Sequence, residues 1–208
     1  MSRQANNRQS RTRISRAVGA VGTRLLSGAA VLATAAGVVL LGPPLSAQAG
    51  DHHDHATYSW DQRVVTVKSN VPSAWGVDAA VRRWNEHRVS GQPRLVVRNR
   101  TPNPDIRVRT VQAPAHWWTG FTSGDADGAT LTTMTIRLNT ASIDEPDLEY
   151  QGSFRAAKYW TTSHELGHAL GLEHRHSVTR SVMSYSNPWW KTEGRPSGYD
   201  FRQLGRLY

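Results

Sequence analysis

The sequence predicts a single α+β domain behind a removable N-terminal leader, and three observations predict it. Short stretches rich in β-branched residues recur between turn-forming Gly, Pro and Asp clusters, which is the signature of strands. Between the first two of these lies a segment with apolar residues at helical spacing. Residues 154–170 then contain no proline and one glycine, Gly167, and carry histidines four apart, His164 and His168. The elements follow in order along the chain.

Residues 1–49 read as a secretory leader. Arg3, Arg8, Arg11, Arg13, Arg16 and Arg24 come without an acid, a small-residue apolar run extends from Leu25 to Leu41, and Ala47-Gln48-Ala49 offers a small-residue cleavage site. The competing reading is a membrane anchor. The run is barely long enough to span and is interrupted by Gly28, Thr34 and Gly37, so removal after Ala49 is the reading preferred. The expectation is a secreted, extracellular protein with no stable membrane association after cleavage. The whole chain carries a formal charge of +9, but the leader takes six arginines, leaving 19 cations against 16 acids, or +3. That balance gives no reason to expect nucleic acid as a partner. Residues 50–59, with His52-His53-Asp54-His55, read as a flexible N-terminal segment, with metal binding at the new N-terminus as the alternative. Residues 60–208 form the domain, which is large enough for one full core. It contains no cysteine, so no disulfide supports it.

Within the domain, 63–68 reads as a first strand and 77–88 as an amphipathic helix, with Val77, Ala80, Val81 and Trp84 on one face and Trp75 near its start. Residues 94–98 and 106–111 read as further strands. Arg107 and Arg109 alternate with Ile106 and Val108 and so point to solvent. Residues 116–121 read either as an edge strand or as a core hairpin. Gly124-Asp125-Ala126-Asp127-Gly128 reads as a turn, and its two aspartates make calcium a second candidate ion, although the other ligands of a calcium loop are missing. Residues 133–138 read as the last strand, followed by a loop with Asp144, Glu145, Asp147 and Glu149. Ser153 is a candidate N-cap for the helix that follows. At the C-terminus Phe201, Leu204 and Tyr208 repeat at helical spacing.

The chemistry centres on His164-Glu165-Leu166-Gly167-His168-Ala169-Leu170-Gly171-Leu172-Glu173-His174, which fits the pattern H-E-x-x-H-x-x-G-x-x-H. Side chains four apart on a helix share a face and lie about 6 Å apart along the axis. That spacing suits two imidazoles converging on one ion at about 2.0–2.1 Å. Glu165 lies about 100° round the helix. From there it reaches the ion's outer shell, the place for a general base acting on an activated water. In an uninterrupted helix His174 would fall roughly 240° off the metal face. Gly171 resolves this, because glycine adopts the left-handed conformation that ends a helix and turns the chain back. Three imidazoles then leave a fourth coordination position open, as in catalytic zinc sites. A fourth ligand at His176 would close it, so His176 reads as a surface or supporting histidine.

This stretch resembles the signature of the metzincin clan of zinc peptidases, which also requires a methionine turn downstream. Ser181-Val182-Met183-Ser184-Tyr185 supplies one, nine residues after His174, a gap similar to that of the matrixin and serralysin branches. The resemblance is strong from His164 to Tyr185 and loose over the rest of 60–208. It implies a zincin-like fold: a twisted mixed sheet with an edge strand over the cleft, an active-site helix, the methionine turn and a C-terminal helix. It implies Zn2+ held by His164, His168 and His174, with Glu165 as catalytic base. It implies for Tyr185 a catalytic role beside the metal, and for Asp200 a structural bond to the methionine-turn backbone. By the same resemblance 187–190, with Trp189 and Trp190, wall the pocket for the side chain after the scissile bond, and the edge strand pairs with an extended protein or peptide substrate. The function so implied is that of a monomeric zinc metalloendopeptidase. Two alternatives stay open: a secreted zinc-binding or adhesion module with idle machinery, and a zinc hydrolase of non-peptide amides or esters.

Overall fold

The first strand of the sheet core, β2 (Val64–Ser69), sets the pattern for the domain: Val65 and Val67 are fully buried and Val64 is exposed. A short 3-10 turn, Ser73–Trp75, tucks Trp75 into the core. Helix α1 (Val77–Glu86) then buries Val77, Ala80, Val81 and Trp84, the face its periodicity predicts. Strands β3 (Arg94–Val97) and β4 (Ile106–Val111) both lie parallel to β2. In β4, Ile106 and Val108 point inward while Arg107 and Arg109 are exposed, as alternation requires. A computed structural model of the chain describes residues 45–46, 58–116, 118–143, 154–175, 180–184 and 193–208.

Strands β5 (Gly120–Asp127) and β6 (Thr130–Asn139) form an antiparallel hairpin, and β6 also pairs parallel with β4. With the two-residue β1 (Leu45–Ser46) antiparallel on β5, the sheet order is β1-β5-β6-β4-β2-β3. The short helix α2 (Thr140–Ile143) follows β6, then α3 (Phe154–Ala169) and α4 (Gly198–Leu207). Val65, Val67, Ile106, Val108, Ile136 and Leu138 of the sheet and Trp84, Leu166, Ala169 and Leu170 of the helices form one buried cluster.

Two sequence expectations are corrected. Residues 124–127 are not a turn but the end of β5, and the turn is Gly128-Ala129 alone, with Gly128 at φ 60°. Gly124 marks a close approach instead, since a Cβ there would lie 2.1 Å from Met134 Sδ and from the Thr133 carbonyl. The edge strand does not begin at His116. That residue's N–H donates to Ala113 O in a turn, and Asn139 Nδ2 gathers the carbonyls of Ala113 and Trp118, so regular pairing starts only at Gly120. Leu45–Ser46, within the stretch read from the sequence as a leader, pair with Ser123–Gly124.

Ser153, His176, Tyr185, the 52–55 histidine segment, the acidic loop 144–149 and 187–190 lie outside the described residues. Among the described residues, no helix is long and apolar enough to cross a membrane.

Candidate metal centre

The site is built on the second half of α3. From 161 to 169 every residue of this helix is buried, so its polar side chains are cut off from water. Trp84 Nε1 donates to Ser163 O (2.9 Å) and Trp60 Nε1 to Ala169 O (2.8 Å), which moors the helix at two points. Gly167 lies between the two helical histidines, and the missing side chain leaves room for Met183. A Cβ there would lie 2.3 Å from Met183 Sδ.

The helix ends as the sequence predicts. Gly171 sits at φ 95°, Gly171 N–H bonds to His168 O (2.9 Å) and Leu172 N–H to Gly167 O (3.0 Å), the paired bonds of a Schellman cap. No larger residue fits, because a Cβ at 171 would lie 2.1 Å from the Tyr58 carbonyl. The reversed chain brings His174 back. Arg175 then bridges Ser184 and donates its N–H to Met183 O (2.9 Å), tying the third histidine's segment to the methionine turn. That turn closes through Ser184 N–H on Ser181 O (3.2 Å).

His164, His168 and His174 converge, with Nε2 atoms 3.0, 3.1 and 3.0 Å apart in pairs. The protons explain why this arrangement suits a cation. His164 Nδ1 lies 2.8 Å from Val182 O and His168 Nδ1 lies 2.7 Å from Leu172 O. A carbonyl only accepts, so in the neutral rings both Nδ1 atoms carry the hydrogen and both Nε2 atoms present lone pairs. The His164 and His168 lone pairs, aimed at one another this closely, repel unless a positive ion or a donated proton lies among them. Tetrahedral Zn–N bonds of about 2.0–2.1 Å put ligand atoms about 3.3 Å apart, close to the spacing found. The chemistry of the donor set therefore fits a divalent metal. Burial reinforces neutrality, pushing His164 down to about 4 and His168 to about 3, the latter helped by the neighbouring His164. Trp160, one helical turn before His164, stacks on its ring with centroids 4.8 Å apart.

Glu165 is buried beside the cluster, and desolvation raises its carboxyl to about 7 against the lowering effect of a bond from Thr122. Thr122 Oγ1, on β5, lies 2.6 Å from Glu165 Oε2. Asp200 of α4 underlies the methionine turn. It accepts from Val182 N (3.2 Å), Ser197 N (2.7 Å) and Ser197 Oγ (2.8 Å), and Ser181 Oγ bonds its other oxygen. This is the bond that the resemblance implied for Asp200.

Sequence reasoning missed Thr122 and Trp160. Trp160 had a signal, since it lies four residues before His164 on the same helical face. Thr122 had none, because only the pairing of β5 brings it to α3. For calcium, Asp125 Oδ2 accepts from Thr133 Oγ1. Among the described residues the one group of three or more metal-binding side chains brought together is the histidine cluster.

These features define a mixed α/β protein with a candidate three-histidine metal centre formed by α3 and the segment that follows it. No family model and no curated protein matches the chain. Among solved structures, the GM1-bound form of the ECX AB5 holotoxin is similar in fold alone, with a TM-score of 0.50 and 14% identity over 75% of this chain and 86% of that one. Archaemetzincin from Methanopyrus kandleri aligns with a TM-score of 0.44 and 14% identity, over 70% of this chain and 96% of that one.

Proposed function

We propose that the chain is a secreted zinc-dependent endopeptidase, with His164, His168 and His174 as metal ligands and Glu165 as general base. The observation that carries this reading is the convergence of three imidazole Nε2 atoms beside a buried carboxylate. Zinc held by these ligands supplies a Lewis acid that acidifies water and polarises a carbonyl. Glu165, with its carboxyl near neutrality, takes a proton from the attacking water and delivers it to the leaving amine. Buried Thr122 keeps that carboxylate hydrogen-bonded, and Trp160 stacks on the His164 ring. Tyr185 is proposed as an oxyanion donor through the H-E-x-x-H-x-x-G-x-x-H and methionine-turn pattern.

An extended peptide is the substrate favoured, because the outer edge of β5 already takes an extended segment, Leu45–Ser46, in antiparallel register. In this reading the loss of residues 1–49 on secretion removes that segment and opens the edge.

The test is hydrolysis of casein by purified residues 50–208, beside Glu165→Gln at equal zinc content. The parent should be active and the variant slower by at least 100-fold, as expected for loss of a general base. Equal rates would refute the mechanism. A zinc-loaded parent inactive on proteins, peptides and small amides would favour the idle binding module.

A further inference from the structure

Glu165 emerges from α3, but its carboxylate is held by a strand. Thr122 is fully buried, and its Oγ1 lies 2.6 Å from Glu165 Oε2 and 3.1 Å from the Glu165 carbonyl. One hydroxyl carries one proton, and the shorter contact to the more basic oxygen takes it. Two residues earlier on the same face of β5 is Gly120. A Cβ there would lie 2.6 Å from both Glu165 Cγ and Oε1, and 2.7 Å from Thr161 Cγ2. Gly120 therefore leaves the space in which the carboxylate lies, while Thr122 fixes one of its oxygens and leaves Oε1 outside that bond. The pairings Gly120↔Leu138 and Thr122↔Ile136 set both residues against the buried side of β6.

We propose that Thr122 is a positioning residue for Glu165, and that Gly120 and Thr122 together orient the base from the edge strand. This rests on the reading of Glu165 as a general base. Strand β5 then has two jobs. Its outer edge offers backbone to an extended substrate, and its inner face aims the group that takes the proton. A shift of β5 along β6 would move both together.

Thr122→Val keeps the shape and removes the donor, whereas Thr122→Ser keeps the donor. With a peptide substrate at full zinc loading, Thr122→Val should lower kcat about tenfold with KM and zinc content unchanged, and Thr122→Ser should stay within about threefold of the parent. A second readout needs no catalysis: thermal unfolding of the zinc-free protein at pH 8, with Thr122→Val made in the parent and in Glu165→Ala. The midpoint should fall by several degrees in the parent and by less than half as much where Glu165 is already gone. Equal falls in both backgrounds, or a serine variant as slow as the valine variant, would overturn the proposal. Should the parent prove inactive, the unfolding cycle still decides whether Thr122 holds Glu165, so the two readings fail separately.

Discussion

Replacing Gly167 with alanine sets two opposing effects against each other. Alanine is favoured over glycine inside a helix by about 1 kcal/mol. In α3, however, the new Cβ would lie 2.3 Å from Met183 Sδ, 3.0 Å from Trp84 Cζ2 and 3.2 Å from Met183 Cε. The sulfur contact is more than 1 Å inside ordinary van der Waals distance. Met183 is 1% exposed and Trp84 is fully buried, so neither side chain has open space to move into. Overpacking of this kind costs up to about 3 kcal/mol, which leaves a net loss of about 1–2 kcal/mol. Gly205 in α4 provides the matched control. Its added Cβ would meet Val89 Cγ1 at 3.7 Å, an ordinary contact, so Gly205→Ala should gain up to about 1 kcal/mol. For a domain of this size 1 kcal/mol corresponds to about 2–4 °C. Thermal unfolding followed by far-UV circular dichroism should therefore show Gly167→Ala melting about 2–8 °C below the parent and Gly205→Ala up to about 4 °C above it. If both alanines raise the midpoint, the packing of Met183 under α3 is not as described.

Other outcomes follow from the site. Asp200→Asn places an amide nitrogen among buried donors from Ser181, Val182 and Ser197, and should cost about 3 kcal/mol, measured by urea unfolding. A cost under 0.5 kcal/mol would remove Asp200 as the anchor of the turn. In the metal-free protein, His164 and His168 titrate below their ordinary value of 6.5, at about 4 and 3, so the unfolded chain binds more protons and stability falls as pH drops from 6.5. Glu165, raised to about 7, acts in the opposite sense between pH 4.5 and 7. The balance is a loss of about 3 kcal/mol between pH 7 and pH 4. A midpoint in EDTA that is unchanged or higher at pH 4 contradicts it. Finally, His174→Ala leaves two of the three ligands and should weaken zinc binding at least 100-fold in a competition titration with a chromogenic chelator. An unchanged affinity would place the ion elsewhere.

What could be read from the sequence was the part fixed by local geometry. Four-residue spacing put His164 and His168 on one face, and Gly171 could only end the helix and return His174, because both statements depend on backbone rules within a dozen residues. The inward face of α1 and the outward arginines of β4 were legible for the same reason. The carbonyls of Val182 and Leu172, which orient the histidine rings, were not legible, since a backbone acceptor has no residue type to mark it. Gly124 carried a misleading signal. A glycine beside two aspartates suggests a turn, whereas here its missing Cβ lets β5 approach β6. Thr122 and Gly120 reach Glu165 across more than forty positions, and strand register at that range is set by the whole sheet.

The chain has no cysteine, and the join between α4 and the methionine turn is made by the Asp200 carboxylate. A join of this kind has no oxidised and reduced forms and therefore no reduction potential. The join is the same in reducing and in oxidising surroundings, it needs no isomerase to find its correct partners, and thiol reagents have nothing there to cut.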